Sequence, residues 1–280
     1  MSQPAPRKIT ESLLLAIDVE STGLDTQTDS IVELGGAYVC GGALVGNTLR
    51  TRVNPGRYIP ADATRVHGIS NEDVEKSPPW RVVSEWLRRH VERADAPVVC
   101  GYNILGYDAH IINSENERAG HEWRLELGRL LDPFIFCRWH HPELQSRLGS
   151  MCKVYGIELP EDRAHSADAD SAVTAMLAVA MVWAGYIPDE VEEALITQAR
   201  LKARMEADEA RYGRGLYVAR DGVEPLRLMI ARGPYRGKCI FELSPSYIQT
   251  VINDWKGEDI TEEARALIKD RIQTQDELGF

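Results

Sequence analysis

An α/β fold built on a mixed sheet is the class this chain of 280 residues predicts. Three observations carry it: strand-like runs crowd the first fifty residues, strand and helix signals alternate afterwards, and one long uncharged helix closes the pattern. The 44% hydrophobic and 27% charged fractions are those of an ordinary globular protein.

The first element is Leu13 to Leu24, LLLAIDVESTGL. An apolar run ended by a Thr-Gly turn signal reads as a buried strand. Residues two apart on a strand share a face, so Asp18 and Glu20 project side by side. Ser30–Val39 and Ala43–Val53 read as a hairpin turning at Gly41-Gly42, closed by Asn54-Pro55-Gly56. Pro78-Pro79 precedes an amphipathic helix with Trp80 and Trp86 as core anchors. Pro97–Gly101 is a short buried strand, and Asn103–Ala119 a loop entering a helix. Leu125–Leu131 predicts a helix ended by Asp132-Pro133, and Leu148–Tyr155 another short one. Between Ser171 and Pro188 no residue is charged. This stretch brushes the lower length for a membrane span, but its alanines and the preceding Asp168 and Asp170 mark a core helix from about Ala167 to Trp183.

A charged helix over Asp189–Ala210 leads out of the main domain. Beyond it a hairpin, Gly215–Arg220 and Glu224–Ala231, turns at Asp221-Gly222. Lys238–Leu243 reads as a third strand and Pro245–Trp255 as a helix. The expected organisation is a main domain over 10–188, a connecting helix over 189–214 and a small β-rich appendage over 215–280.

Five scattered cysteines with no C-x-x-C pair point to free thiols in a reducing cytoplasm. The N-terminus lacks an apolar targeting run, and no membrane partner is expected. A net charge of −11 is awkward for a nucleic-acid binder, yet Arg200 to Lys238 holds ten basic residues against five acidic ones.

Asp18, Glu20, Asp108 and Asp170 all fall at strand ends or helix starts, where side chains from separate elements can converge. Four carboxylates round one cavity suit two hard cations, Mg²⁺ or Mn²⁺, about 3.5–4 Å apart. Such ions suit phosphodiester hydrolysis, and His165, five residues before Asp170, fits the accompanying base. Asp168 is turned roughly 200° from Asp170 on the helix, so both cannot face one metal equally. Cys137 with His140 and His141 lacks the second pair a zinc site needs.

These motifs resemble the DnaQ-like, DEDDh class of 3′→5′ exonucleases over about residues 10 to 185. Asp18-x-Glu20 with Ser21-Thr22-Gly23-Leu24 corresponds to its first motif, Asn103 with Tyr107-Asp108 to its second, and His165-x-Ala167-x-x-Asp170 to its third. The Asn103–Asp108 spacing is one residue longer than in the proofreading-subunit pattern, a variant similar to exonuclease I-like members. The resemblance implies an RNase H-like mixed sheet flanked by helices, with Asp18, Glu20, Asp108 and Asp170 as metal ligands and His165 as base. It implies that Thr22, Gly23 and Leu24 hold the terminal nucleotide, Leu24 packing on its base. His67 would lie near the penultimate base, Asn103 would belong to the substrate-binding motif, and Tyr107 would stack or wedge. The expected activity is release of nucleoside monophosphates from single-stranded DNA 3′ ends in replication or repair. RNA 3′-end trimming and a polymerase-associated proofreading or scaffold role are the alternatives. Gly233-x-Tyr235-x-Gly237 with Pro245-x-Tyr247 resembles a short C-terminal domain of exonuclease X-like proteins, a resemblance that implies no function; a basic hairpin there could guide a single strand or dock a polymerase or repair partner, and the alternative is a structural cap.

Overall fold

The strand that opens the chain forms because its alternate residues have a core to enter. The computed structural model describes residues 6–158, 166–220 and 227–278. Strand β1 (Leu14–Ser21) lies antiparallel to β2 (Ile31–Cys40), with Asp18 opposite Gly35 and Glu20 opposite Glu33. The register slips between Glu20 and Ser21, a bulge of the kind that re-aims side chains at a sheet rim. Strands β3 (Ala43–Leu44) and β4 (Leu49–Arg52) both pair with β2. Helices α1 (Ala61–His67), α2 (Asn71–Val74) and α3 (Trp80–Val91) follow, and β5 (Val98–Cys100) then joins β1 in parallel. The sheet is therefore mixed, as expected.

Then come α4 (Asp108–Arg118), α5 (Pro133–His140), α6 (Leu148–Val154), α7 (Ala167–Trp183) and α8 (Val191–Tyr212). Leu15, Ile17, Val19, Leu34 and Tyr38 send their side chains into one cluster with Trp80, Val83 and Leu87 of α3 and Ile111 and Ile112 of α4. The alternate residues of β1 and β2 face α7, which is buried nearly all round. Gly35 makes that approach possible: a Cβ there would stand 2.1 Å from the Ala167 carbonyl carbon and 2.3 Å from the Asp168 nitrogen. Only glycine lets the start of α7 lie directly on the sheet.

The chain divides into two units, residues 1–136 with 147–198, and residues 137–146 with 199–280. The divisions at 136/137 and 198/199 fall inside α5 and α8 and the one at 146/147 between α5 and α6, whereas the sequence reading set its boundaries at 188/189 and 214/215. In the second unit β6 (Leu216–Val218) pairs with β7 (Leu228–Ile230), and α9 (Pro245–Asp254) and α10 (Glu262–Leu278) complete it. Its own core gathers Leu216, Leu228, Ile230, Ile240, Ile248, Val251, Ile252 and Ile268.

Four local expectations change. Ala43–Val53 is two strands, because Gly46 at φ 74° turns the chain between them. Leu125–Leu131 holds one 3₁₀ turn, Leu127–Arg129, and Pro133 begins a helix instead of ending one, as its fixed φ and missing N–H allow at a first helical position. Lys238–Leu243 gives a single bridge, Met229 to Cys239, before a 3₁₀ turn drops Ile240 into the apolar cluster. The second unit thus has its two-stranded sheet, but helices supply most of it. The turn at Asp221-Gly222 lies outside the described residues.

Candidate active site

Asp18 and Glu20 stand on the α7 face of β1, near the end where β5 no longer accompanies it. There the Val19 N–H has no strand partner on the β5 side, and the Asp108 carboxylate accepts it at 3.1 Å from the first turn of α4. Asp170 enters from the first turn of α7, brought over the sheet by Gly35. The structure therefore gathers Asp18, Glu20, Asp108 and Asp170 from three elements.

Their electrostatics record the crowding. Burial first, then the charges of Asp108, Glu20, Asp170 and Glu33, push the Asp18 carboxyl well above its ordinary range. Glu20 is raised to about 7 by burial and then by Glu33, Asp170 and Asp108, with Arg50 opposing. Asp108 is raised to about 7 by burial, against the bond from Val19. Among the described residues no three acidic, histidine or cysteine side chains form a ready cation cage. Asp18 and Glu20 are thus carboxyls whose ionised form the neighbouring acids disfavour, and a divalent cation is the species that would relieve them; the oxygen-only donor set of the four acids fits Mg²⁺ or Mn²⁺. His165 lies outside the described residues.

Asp168 is turned away from this group, as the helical geometry predicts. Its carboxylate accepts from Thr48 Oγ1 at 2.7 Å and faces Arg50 at 3.9 Å, so it ties α7 to the β4 side of the sheet.

The other predicted contacts lie round the turn after β1. Thr22 is buried, donating to Asp29 and accepting from the Ser30 N–H, so its hydroxyl is committed to the turn. Gly23 is packed so that a Cβ would stand 2.4 Å from the Asp29 carboxylate. Its carbonyl accepts from Ser21 Oγ and from the Tyr107 hydroxyl, the latter at 2.5 Å, which pins the Tyr107 ring beside the turn. Leu24 is 90% exposed, an apolar side chain that none of the described residues covers. His67 is half-buried; its Nδ1 accepts from the Ile69 N–H, which assigns the ring proton to Nε2, and burial lowers its pKa.

Asn103 takes a left-handed conformation, φ 64°, at the entrance to α4. Asp132 holds that loop: it accepts from the N–H groups of Asn103 (2.9 Å), Leu105 (3.1 Å) and Phe134 (3.1 Å). Sequence reading noticed Asp132 but gave it no part. Glu33 it missed altogether. This residue is 1% exposed inside β2, and Arg50 and Arg52 meet its carboxylate at 3.0 and 2.8 Å. A lone acid inside the apolar run IVELGGAYV was the available signal, since buried charge requires a partner.

Comparison with known proteins gives a family and a fold. The RNase_T family model, described as exonuclease, matches residues 15–178. The DNA polymerase III subunit epsilon of Rickettsia felis is 27% identical over 164 residues, covering 58% of this chain and 70% of that protein. Among solved structures, E. coli exonuclease I in complex with a dT13 oligonucleotide aligns with a TM-score of 0.51 at 18% identity, over 61% of this chain and 41% of that one. The nuclease domain of 3′hExo, a DEDDh family member bound to rAMP, aligns at 0.53 and 15%, over 62% and 94%. These two likenesses bear on the fold alone. No helix among the described residues is long and apolar enough to cross a membrane.

Proposed function

The chain belongs to the RNase_T exonuclease family, a DnaQ-like DEDDh nuclease, and from that premise we propose that it hydrolyses phosphodiester bonds at the 3′ end of single-stranded DNA, releasing nucleoside monophosphates. The observation that carries this reading is the convergence of Asp18 and Glu20 on β1 with Asp108 from α4 and Asp170 from α7, close enough that the latter two act on the charge of both β1 acids. Asp18, Glu20, Asp108 and Asp170 would hold one or two divalent ions, which supply positive charge for an attacking water and a leaving 3′ oxygen. His165 is the base in this reading, on the strength of its spacing from Asp170. The turn Thr22–Leu24 offers a backbone held rigid by Asp29 and Tyr107, and an exposed apolar side chain for the terminal base. His67 and Asn103 flank it in the same reading. The polymerase III relative supports a replication setting with a polymerase as partner; repair and a cytoplasmic compartment belong to the reading of the sequence.

The experiment is degradation of 5′-labelled strands by the purified full chain. Single-stranded DNA should shorten from its 3′ end with Mg²⁺ or Mn²⁺ and persist in chelator. Asp18→Asn and His165→Ala should each lose at least a hundredfold in rate while melting as cooperatively as the parent. Undiminished cleavage by both would remove the site. Faster trimming of a matched RNA would move the substrate class and leave the site in place.

A further inference from the structure

The second unit holds a cluster of guanidinium groups that the hydrolytic site does not use. Arg138, Arg214, Arg220 and Arg236 line one small cleft with Tyr217, and only two carboxylates, Asp208 and Glu209, line it with them. Each carboxylate is divided. Glu209 serves Arg138 at 2.5 Å and Arg214 at 3.7 Å, while Asp208 serves Arg220 at 3.5 Å and Arg204 at 3.6 Å; Glu258, which does not line the cleft, meets Arg214 at 2.6 Å. Arg236 makes no ion pair among the described residues; its Nε donates to the Pro142 carbonyl at 3.1 Å. The charge of Glu143 also acts on Arg236, and the cleft lining itself carries four guanidinium groups against two carboxylates in a chain whose net charge is −11.

Two of these cations are also withdrawn from water. The Arg220 side chain is 18% exposed, lies 3.5 Å above the Trp139 ring, and has a buried Nε without a hydrogen-bond partner. Burial lowers the pKa of both Arg220 and Arg236. Stacking on an indole engages the face of a guanidinium and leaves its rim for hydrogen bonds; Asp208 meets one Arg220 nitrogen at 3.5 Å, and the planar group suits oxygens of a phosphate or carboxylate. Desolvated cations in surplus over their anions are costly unless a bound anion completes them. Aromatic rings are interleaved with the charges: Trp139 and Tyr217 at the cleft, and Tyr235 packed against Tyr247 at a 56° tilt with centroids 4.3 Å apart in the same unit. Basic groups alternating with aromatic faces are how proteins hold single-stranded nucleic acid without reading its sequence.

We propose that this cleft binds a backbone phosphate of single-stranded nucleic acid, giving the chain a second anchoring site besides the one that cuts. The identity of the polyanion rests on the exonuclease reading; the anion site itself does not.

The test is the affinity of the full chain for fluorescent oligothymidylates of increasing length, in chelator so that nothing is cut. Arg214→Gln with Arg236→Gln replaces two partly exposed cations and should weaken binding of the longer strands by about tenfold. It should also lower the slope of log affinity against log salt by about 0.7 for each phosphate that the arginines no longer neutralise. Mg²⁺-dependent hydrolysis of a chromogenic mononucleotide ester should be unchanged. If the pair melts early, Arg214→Gln alone carries the same comparison with a smaller loss. Unchanged affinity and slope in a folded variant would overturn the proposal. So would an acidic peptide that binds through the same arginines while oligothymidylate does not. If the parent shows no hydrolysis but its DNA affinity depends on these arginines, the hydrolytic reading fails and the anchoring site stands.

Discussion

Glu20 on β1 lies directly opposite Glu33 on β2, and the two carboxylates have opposite circumstances. Glu33 is enclosed and held by Arg50 and Arg52, whereas Glu20 is half-buried and raised to about 7, with Glu33 the largest charge acting on it. A carboxylate clamped by arginines thus stands behind one that awaits a cation. Arg50 partly offsets the effect on Glu20. Arg50→Gln should move the acidic limb of the pH–rate profile upward by a few tenths of a unit or more, because Glu20 then holds its proton to higher pH. An unmoved limb would show that Arg50 serves only the sheet.

Removing the clamped acid has a different signature. Glu33→Ala strips two guanidinium groups of their partner, and both are partly exposed and can turn to water. The expected loss is about 1–3 kcal/mol, below that of a fully buried pair, read from urea unfolding. A loss under ~0.5 kcal/mol would mean that the pair is solvated in effect.

Glu20 also predicts how metal-free stability depends on pH. Its folded pKa, about 7, lies above the unfolded value near 4.3. The folded chain then binds more protons between these values, so the stability this group contributes is complete below about pH 4 and is lost as pH rises through about 7. Glu20→Gln stays neutral throughout. In chelator, the variant's melting temperature should gain on the parent by a few degrees between pH 5 and pH 7.5, and Mg²⁺ should shrink the gap. A difference that is flat or reversed would contradict the shift.

Asp132 is expected to act through the loop it holds. Asp132→Asn must set an amide NH₂ against one of three backbone N–H donors, at a cost of about 1–3 kcal/mol. Because that loop leads to Asp108, kcat should fall several-fold with KM little changed. A change confined to KM would place Asp132 in substrate contact.

Leu24 separates binding from folding. At 90% exposure its truncation to Ala should leave the melting temperature within 1–2 °C and raise KM for single-stranded DNA several-fold. An unaltered KM would remove Leu24 from the substrate site.

Gly35→Ala tests how α7 reaches the sheet. The clash is with helix backbone, which cannot rotate aside, so α7 must shift and carry Asp168 and Asp170 with it. Loss of several degrees in melting temperature together with most activity is expected; full activity at parental stability would show that the helix tolerates displacement.

The order and type of the main elements, and the pairing of Asp18 with Glu20 on one face, follow from the sequence alone, because strand alternation and turn residues act over a few neighbours. So does the turning away of Asp168, which helical pitch dictates. Other features depended on the tertiary structure. Asp132 has a role only because the loop entering α4, 29 residues earlier in the chain, brings the Asn103 N–H to its carboxylate. Glu33 matters only because β4 brings Arg50 and Arg52 alongside it. The arginine cleft draws on residues nearly a hundred positions apart, such as Arg138 and Arg236. Local periodicity decides which way a side chain points; long-range packing decides what it meets there, and charge, burial and proton affinity are set by that encounter.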